Sequence, residues 1–270
     1  MQDKYSEYFK TNEKTWDLKV PVHAASEFYE VERFKHGQSS LNPIELKELG
    51  AVSGKKLLHL QCHFGLDTLS WSRLGAKCTG IDISSKGIEK AIEISKTLNL
   101  PATFIQSNVY DVPKNVQGEF DIVFTSYGVI GWLPDLNLWA KVIEEKLKPG
   151  GVFYMVEFHP IMWMFDYTSG NPELKYAYDQ KDVIYEEYKG TYADSKAAII
   201  SKEYGWNHGL GEVITALTTV GLNVEFLHEF DEAPYDVFPE MEKTEQGQYV
   251  LPLEKRLHPL LYSIKAVKKA

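Results

Sequence analysis

"LLHLQCHFGLDTLSW", residues 57–71, sets an apolar strand (Leu57, Leu58, Leu60) against a turn and then a helix. Gln61, Cys62, His63 and Phe64 fill the turn, and a single glycine, Gly65, closes it. A strand-turn-helix of this kind opens a nucleotide-binding crossover when its turn lets a ligand approach the backbone. Glycines usually provide that freedom, so the bulky turn makes the rest of the chain decisive.

Working outward, the pattern alternates. "KKLLHLQ" (55–61) reads as a strand, "LDTLSWSRLG" (66–75) as a helix and "AKCTGID" (76–82) as a strand. A helix follows over "SSKGIEKAIEISKTLNL" (84–100), capped by Ser84 or Ser85, and then the strands "ATFIQS" (102–107) and "FDIVFTS" (120–126). The helix "DLNLWAKVIEEKLK" (135–148), the turn "PGG" and the strand "VFYMVEF" (152–158) complete the run. Strands rich in Val, Ile, Leu and Phe between amphipathic helices specify a parallel sheet covered on both faces.

Residues 1–50 read as helical pieces. "SEFYEVERFKHG" (26–37) carries aromatics on one face, and "LNPIELKELG" (41–50) has Asn42 as N-cap, Pro43 at N1 and Gly50 as its stop. Residues 159–207 break the rhythm and hold Trp163, Phe165, Tyr167, Tyr176, Tyr178, Tyr185, Tyr188, Tyr192, Tyr204 and Trp206. So long a stretch in a compact domain reads as an inserted cap with short strands. The helix "LGEVITALTTVG" (210–221) and the strand "NVEFLHEF" (223–230) resume the pattern. "HPLLYSIKAVK" (258–268) follows without a helical crossover, so it pairs antiparallel. The expectation is one domain over 1–270. Within it, 1–50 form a helical cover, 51–158 the binding core, 159–207 the cap and 208–270 the remainder of the sheet.

Bulk composition narrows the partners. The 270 residues are 44% hydrophobic and 25% charged, with a net charge of −9, two cysteines and no long apolar run. An acidic chain is a poor ligand for nucleic acid. Two cysteines make no disulfide framework, which fits a reducing, cytoplasmic setting. No membrane span and no signal-peptide core are expected.

The crevice at the carboxyl ends of such strands is the expected ligand site. Gly65 allows helix and strand to approach closely, and Asp82 ends the second strand, where an acid accepts hydrogen bonds from ribose hydroxyls. The bland alternative is a plain crossover with a surface acid. A dinucleotide lays its pyrophosphate on the first helix N-terminus. Asp67 occupies that first turn and would repel it, while an ammonium group suits a carboxylate there. S-adenosylmethionine ends in an amino-acid zwitterion and has no phosphate, so the residues favour it over NAD.

At this point a resemblance enters. The stretch 57–71 resembles motif I of class I S-adenosylmethionine-dependent methyltransferases, in a bacterial subgroup with an HLQCHFG-type turn. "GIDIS" (80–84), "FIQSNVYDVP" (104–113), "FDIVFTSYGVIGWLPD" (120–135) and "LKPGGVFYMVEFHP" (147–160) resemble later motifs in family order. The resemblance implies a Rossmann-like, seven-stranded, mostly parallel sheet with an antiparallel last strand, helices on both faces and an inserted cap. It also implies methyl transfer to a small molecule. Cofactor contacts are expected from Gln61, Cys62, His63, Phe64, Gly65, Asp67, Asp82, Ile83, Asn108, Val109, Tyr110 and Thr125. The departures are His59 where the family has an acid, Gln61 and His63 where it has glycines, and Asn108 at a position usually acidic.

His159 and His208 are candidate general bases, with Glu157 placed to orient His159. Tyr127 is the third catalytic candidate; with Trp132 and the cap aromatics it would wall the site of the transferred methyl. His59, Cys62 and His63 lack the second ligand pair a structural zinc site needs, so no metal is expected. A second reading is a non-catalytic binder or sensor of S-adenosylmethionine or S-adenosylhomocysteine, and a third an NAD-dependent dehydrogenase.

Overall fold

The computed structural model describes residues 2–166, 172–238, 240–252 and 257–270, so Tyr167 lies outside the described residues. Helices α1 (Gln2–Ala25), α2 (Val31–Lys35) and α3 (Pro43–Leu49) precede the sheet. The alternation then runs β1 (Lys56–His59), α4 (Leu66–Arg73), β2 (Lys77–Asp82), α5 (Ser85–Leu98) and β3 (Ala102–Gln106). It continues through α6 (Val112–Asn115), β4 (Phe120–Ser126), α7 (Leu136–Lys146) and β5 (Leu147–Phe158). Two antiparallel pairs follow, the short β6 (Phe165–Asp166) with β7 (Glu173–Leu174) and the longer β8 (Gln180–Lys189) with β9 (Ile200–Asn207). After α8 (Leu210–Thr219) and β10 (Leu222–Phe230), a small pair β11 (Glu242–Lys243) and β12 (Tyr249–Val250) precedes β13 (Leu261–Lys268).

The main sheet has the order β10-β13-β5-β4-β1-β2-β3, and β13 is antiparallel to both neighbours while the rest run parallel. The alternation predicts a parallel sheet and the resemblance its Rossmann-like, seven-stranded form with an antiparallel last strand, and the sheet has both features. The chain steps outward from β1 to β3 and then returns to β4 on the other side of β1. The sheet therefore reverses direction of growth between β1 and β4, and a crevice opens at their carboxyl ends.

Both sheet faces are packed. On one, Trp139, Phe153 and Tyr262 sit with residues of α7 and α8. On the other, Trp71, Phe124 and Tyr154 pack under α3 and α4. Trp71, Trp139, Tyr154 and Tyr262 are fully buried, and each contributes about 3 to 5 kcal/mol by the usual cost of truncation in a core.

Local signals largely set the boundaries. Asn42 and Glu45 form a reciprocal capping box with Pro43 at N1, and Gly50 ends α3 at φ 68°. Ser84, rather than Ser85, caps α5 by accepting the Gly87 N–H at 2.9 Å. Two differences lie near the amino end. The 24-residue α1 runs unbroken over Gln2–Ala25, where the sequence marked no helix of its own. Residues 26–37 are helical only over Val31–Lys35, because Glu30 adopts a left-handed φ of 43° and the preceding residues form a turn. Helix α8 begins at Leu210 with Gly209 as its N-cap, so His208 stands just ahead of it. No helix among the described residues is long and apolar enough to cross a membrane.

Candidate functional site

The turn after β1 hangs from both neighbouring strands. Leu60 N–H donates to Phe124 O at 2.9 Å, and Cys62 N–H to Ile81 O at 2.8 Å. Gln61 and His63 both adopt left-handed φ values, 55° and 51°, ahead of Gly65 at 81°. The turn thus follows a path that suits glycine at three places, with side chains kept at two of them. Each non-glycine residue held so costs about 1 to 2 kcal/mol. The Gln61 side chain offsets part of that cost by donating to Val129 O at 2.9 Å. Gly65 has no such latitude. A Cβ there would stand 2.7 Å from the Phe104 ring and 2.9 Å from Ala91, so its absence lets α4 meet β3 and α5.

His59, in the family's acidic position, is a core side chain. Its Nδ1 shares a hydrogen bond with Thr68 Oγ1 at 2.8 Å, its ring lies against Phe124, and burial lowers its pKa to about 3. A neutral imidazole there cannot supply the missing carboxylate. Cys62 and Phe64 are buried too; burial pushes the Cys62 thiol up, and Phe64 packs with Leu66, Ile88 and Phe104.

Asp82 ends β2 beside this turn. Its carboxylate accepts His63 N–H at 2.7 Å and Ser84 N–H at 2.8 Å. Burial raises its pKa to about 7, with the charge of Asp17 adding to the effect. Asp17 itself, from α1, accepts from the Ser84 and Ser85 hydroxyls and from Lys86 N–H, so α1 is tied to the first turn of α5. A cleft of about 490 Å³ lies between Phe9 and Glu13 of α1 and the segment Ile83, Gln106 and Asn108. Asn108 accepts Tyr110 N–H at 3.0 Å, Val109 is buried, and the Tyr110 hydroxyl donates to Asp135 O at 3.1 Å. Thr125 is buried with its hydroxyl on Leu60 O. Asp67 lies on the other side of the turn, accepting from Ser40 Oγ at 2.6 Å and Ser126 Oγ at 3.1 Å; burial raises its pKa and these hydroxyls oppose the rise.

The two candidate histidine bases are engaged at both ring nitrogens. His159 Nε2 meets Glu229 Oε1 at 2.9 Å, and its Nδ1 accepts Ile161 N–H. His208 bridges Glu212 Oε2 at 3.0 Å and Leu133 O at 2.8 Å. Glu157 turns away from His159. Its carboxylate collects the N–H groups of Gly128, Val129, Ile130 and Phe158, and so shapes the loop after β4. Tyr127, at a left-handed φ of 34°, donates its hydroxyl to Glu45 at 2.9 Å. Burial first, and then the Glu45 charge, keep that phenol protonated.

The aromatics expected over the crevice divide into groups. Tyr127 and Tyr192 gather near the turn with Phe28, Tyr29 and Tyr235. Trp132 joins Trp16 of α1, and Trp206 lies against Tyr5 and Tyr8. Trp163 packs with Phe158 and Phe238. Residues from α1 and its sequel, notably Trp16, Asp17, His23, Phe28 and Tyr29, were not singled out by sequence, nor were Glu45 and Tyr235. The clustered aromatics of 26–37 were the one available signal; the others come from segments far apart in the chain. Among the described residues no cluster of three or more His, Cys, Asp or Glu side chains is placed to hold a metal ion.

Comparison with known proteins agrees with this geometry. Residues 58–155, from β1 to within β5, match the family described as "Methyltransferase domain". An uncharacterized methyltransferase of Synechocystis sp. is 33% identical over 132 residues, 48% of this chain and 59% of its own length. A ubiquinone biosynthesis O-methyltransferase of Proteus mirabilis is 27% identical over 161 residues, 53% of this chain and 64% of its own. The match thus spans about three fifths of each of these relatives. Among solved structures, a putative S-adenosylmethionine dependent methyltransferase from Listeria monocytogenes superposes with a TM-score of 0.61 at 19% identity, covering 84% of this chain and 96% of that one.

Proposed function

We propose that this chain, which carries a class I methyltransferase domain at its centre, transfers a methyl group from S-adenosylmethionine to a small-molecule acceptor. The observation that carries the reading is the placement of Asp82. It ends β2 beside the reversal point of the sheet, next to a turn held in glycine-like backbone and a cleft along Ile83 and Asn108.

The residues fit that cofactor. Asp82 would receive the ribose hydroxyls, and Ile83 with Asn108, Val109 and Tyr110 would border the adenine. The backbone of Gln61, Cys62, His63, Phe64 and Gly65 would underlie the ribose and the amino-acid end, with Thr125 fixing β4 beneath them. Gln61 Oε1 and His63 Nδ1 are buried in this turn without a partner among the described residues, which suits a ligand bearing donors and acceptors. Asp67 would face the ammonium group in place of the acid that His59 does not supply. When bound, the cofactor supplies an activated methyl on a sulfonium. The chain's work is then alignment and exclusion of water, which in the best cases lowers a barrier by about 7 to 11 kcal/mol. Glu157 fixes the loop 128–130 over the site, and α1 covers it from the other side.

Calorimetry with S-adenosylhomocysteine tests the reading. The wild type should bind it and not NAD, and Asp82→Ala should bind about a hundredfold more weakly, as two lost charge-assisted hydrogen bonds imply. Equal affinity of mutant and wild type would refute the ribose assignment. The engaged nitrogens of His159 and His208 favour one second reading, a binding protein without turnover. Release of S-adenosylhomocysteine in the presence of a metabolite panel separates the two.

A further inference from the structure

Beside the cofactor turn, aromatic rings from four separate segments gather. Phe28 meets Tyr235 at 5.5 Å and Tyr192 at 5.4 Å between ring centres, and Tyr235 meets Tyr127 at 5.2 Å. The hydroxyls of Tyr29 and Tyr192 share a hydrogen bond. Tyr29, Asp67, Tyr127 and Tyr235 are set deep in the molecule, yet each keeps part of its surface accessible, and Tyr192 keeps 48%. Side chains that are deep and still accessible wall a space; they do not fill a core.

The charge around this space is one-sided. Glu45 is fully buried, with its carboxyl on Asn42 N–H at 2.6 Å and on the Tyr127 hydroxyl. Asp67 rests on two serine hydroxyls. Among the described residues neither has a Lys, Arg or His as an ion-pair partner. Lys19, on the neighbouring face of α1, is paired with Glu203 and lies over the Trp16 and Trp132 rings. With Asp67 committed to the cofactor, Glu45 is left holding a proton in place of a counter-charge, and a ligand cation beside it would compete with that proton.

A third feature belongs to neither group. His23 is fully buried, stacked on Tyr29 at 5.2 Å and set against Tyr192 at 4.8 Å. Its Nδ1 meets His63 Nε2 at 2.9 Å, and its Nε2 has no partner among the described residues. Whichever ring donates across that contact, the two outer nitrogens of the pair are one N–H and one bare lone pair, because both rings are neutral. Burial, followed by the nearby Lys19 charge, lowers the pKa of His23 to about 3. For His63 burial comes first, then His23 and Lys19. With His23 Nδ1–H as donor, Nε2 is a buried acceptor on a ring that lies against Tyr29 and Tyr192.

We propose that this space seats the methyl acceptor and that the acceptor is an amine, its nitrogen held among Tyr29, Tyr127, Tyr192 and Tyr235 with His23 Nε2 as an N–H acceptor. The proposal rests on the methyl-transfer reading and names its substrate class. The ammonium form would dock against the aromatic faces and release its proton to solvent; the free amine's lone pair would then form the N–C bond as the S–CH3 bond breaks with its electron pair passing to sulfur, and the product would leave as an N-methylammonium.

The test uses the full chain saturated with S-adenosylhomocysteine, titrated at neutral pH with benzylamine and with its neutral counterpart benzyl alcohol. Benzylamine is expected to bind beside S-adenosylhomocysteine about tenfold more tightly than the alcohol, or better. Tyr192→Ala, a change at a half-exposed side chain, and His23→Asn should each reduce that preference to within about threefold while S-adenosylhomocysteine affinity is kept. Equal binding of the two probes, binding of neither, or displacement of S-adenosylhomocysteine by benzylamine would overturn the proposal. Failure of S-adenosylhomocysteine itself to bind would take the methyl-transfer reading down with it.

Discussion

Glu45 carries a consequence for the whole protein's response to pH. Burial, with Asp67 nearby, raises its pKa from 4.5 to about 8, although Asn42 N–H and the Tyr127 hydroxyl oppose the rise. Between those two pH values the folded chain holds a proton that the unfolded chain releases. Stability from this group is therefore fully present below the unfolded value and falls as pH rises toward about 8, with a slope of at most about 1.4 kcal/mol per unit. Glu45→Gln should flatten that slope in urea denaturation compared between about pH 5 and about pH 8; an unchanged slope would assign it elsewhere. Gly65 makes a steric prediction. Alanine would combine a left-handed backbone with a Cβ 2.7 Å from Phe104, so Gly65→Ala should lose about 2 to 4 kcal/mol in the same measurement. Gly65 was readable in advance because only one residue type suits such a close approach. His59 was not: a histidine at the end of a strand has the same letter whether it faces a ligand or, as here, binds Thr68 in the core. Gln61 and His63 raised the right question about the turn, but sequence carried no φ angle to answer it.

Among the elements, α1 is the one whose role exceeds what its residues announce. Its side chains do not separate into a clean apolar stripe, because the helix is gripped through polar groups. Asn12 exchanges hydrogen bonds with Tyr204 of β9 at 2.8 and 2.9 Å, Thr15 does so with Lys202, and Lys19 pairs with Glu203. On the other flank Asp17 takes three donors from the start of α5. Periodicity detects burial of apolar faces, so a helix docked by polar pairs to a distant hairpin escapes it. The central strands and helices, by contrast, were legible because Val, Ile, Leu and Phe mark a sheet covered on both sides wherever it occurs. Removing the α5 contact should loosen both partners. Asp17→Ala is expected to cost about 1 kcal/mol, as for loss of a helix cap. Hydrogen exchange should quicken in α1 and in the first turn of α5, and stay unchanged in α7, which shares no contact with Asp17. Equal acceleration in α7 would mean a global effect and sink the local account.

At the scale of the molecule, the crevice between β1 and β4 is enclosed by parts that have no other reason to meet. The sheet supplies Asp82 and the turn, α1 lies across them, the β8–β9 hairpin holds α1, and the excursion between β10 and β13 brings in Tyr235. A ligand bound there stabilises the folded chain by mass action, since the unfolded chain offers no such enclosure. At a concentration of about a hundred times its dissociation constant, S-adenosylhomocysteine should add about 2.7 kcal/mol, which for a chain of this size raises Tm by about 5 to 10 °C. Hydrogen exchange should slow in α1 and β9 as well as in the turn, because the cover can open only when the ligand leaves. A Tm shift with protection confined to the turn would show that α1 does not close over the cofactor. NAD at equal concentration should give neither effect, since Asp67 in the first turn of α4 opposes a pyrophosphate at that helix end. Protection of α1 and β9 by NAD would reverse the cofactor assignment while leaving the fold intact.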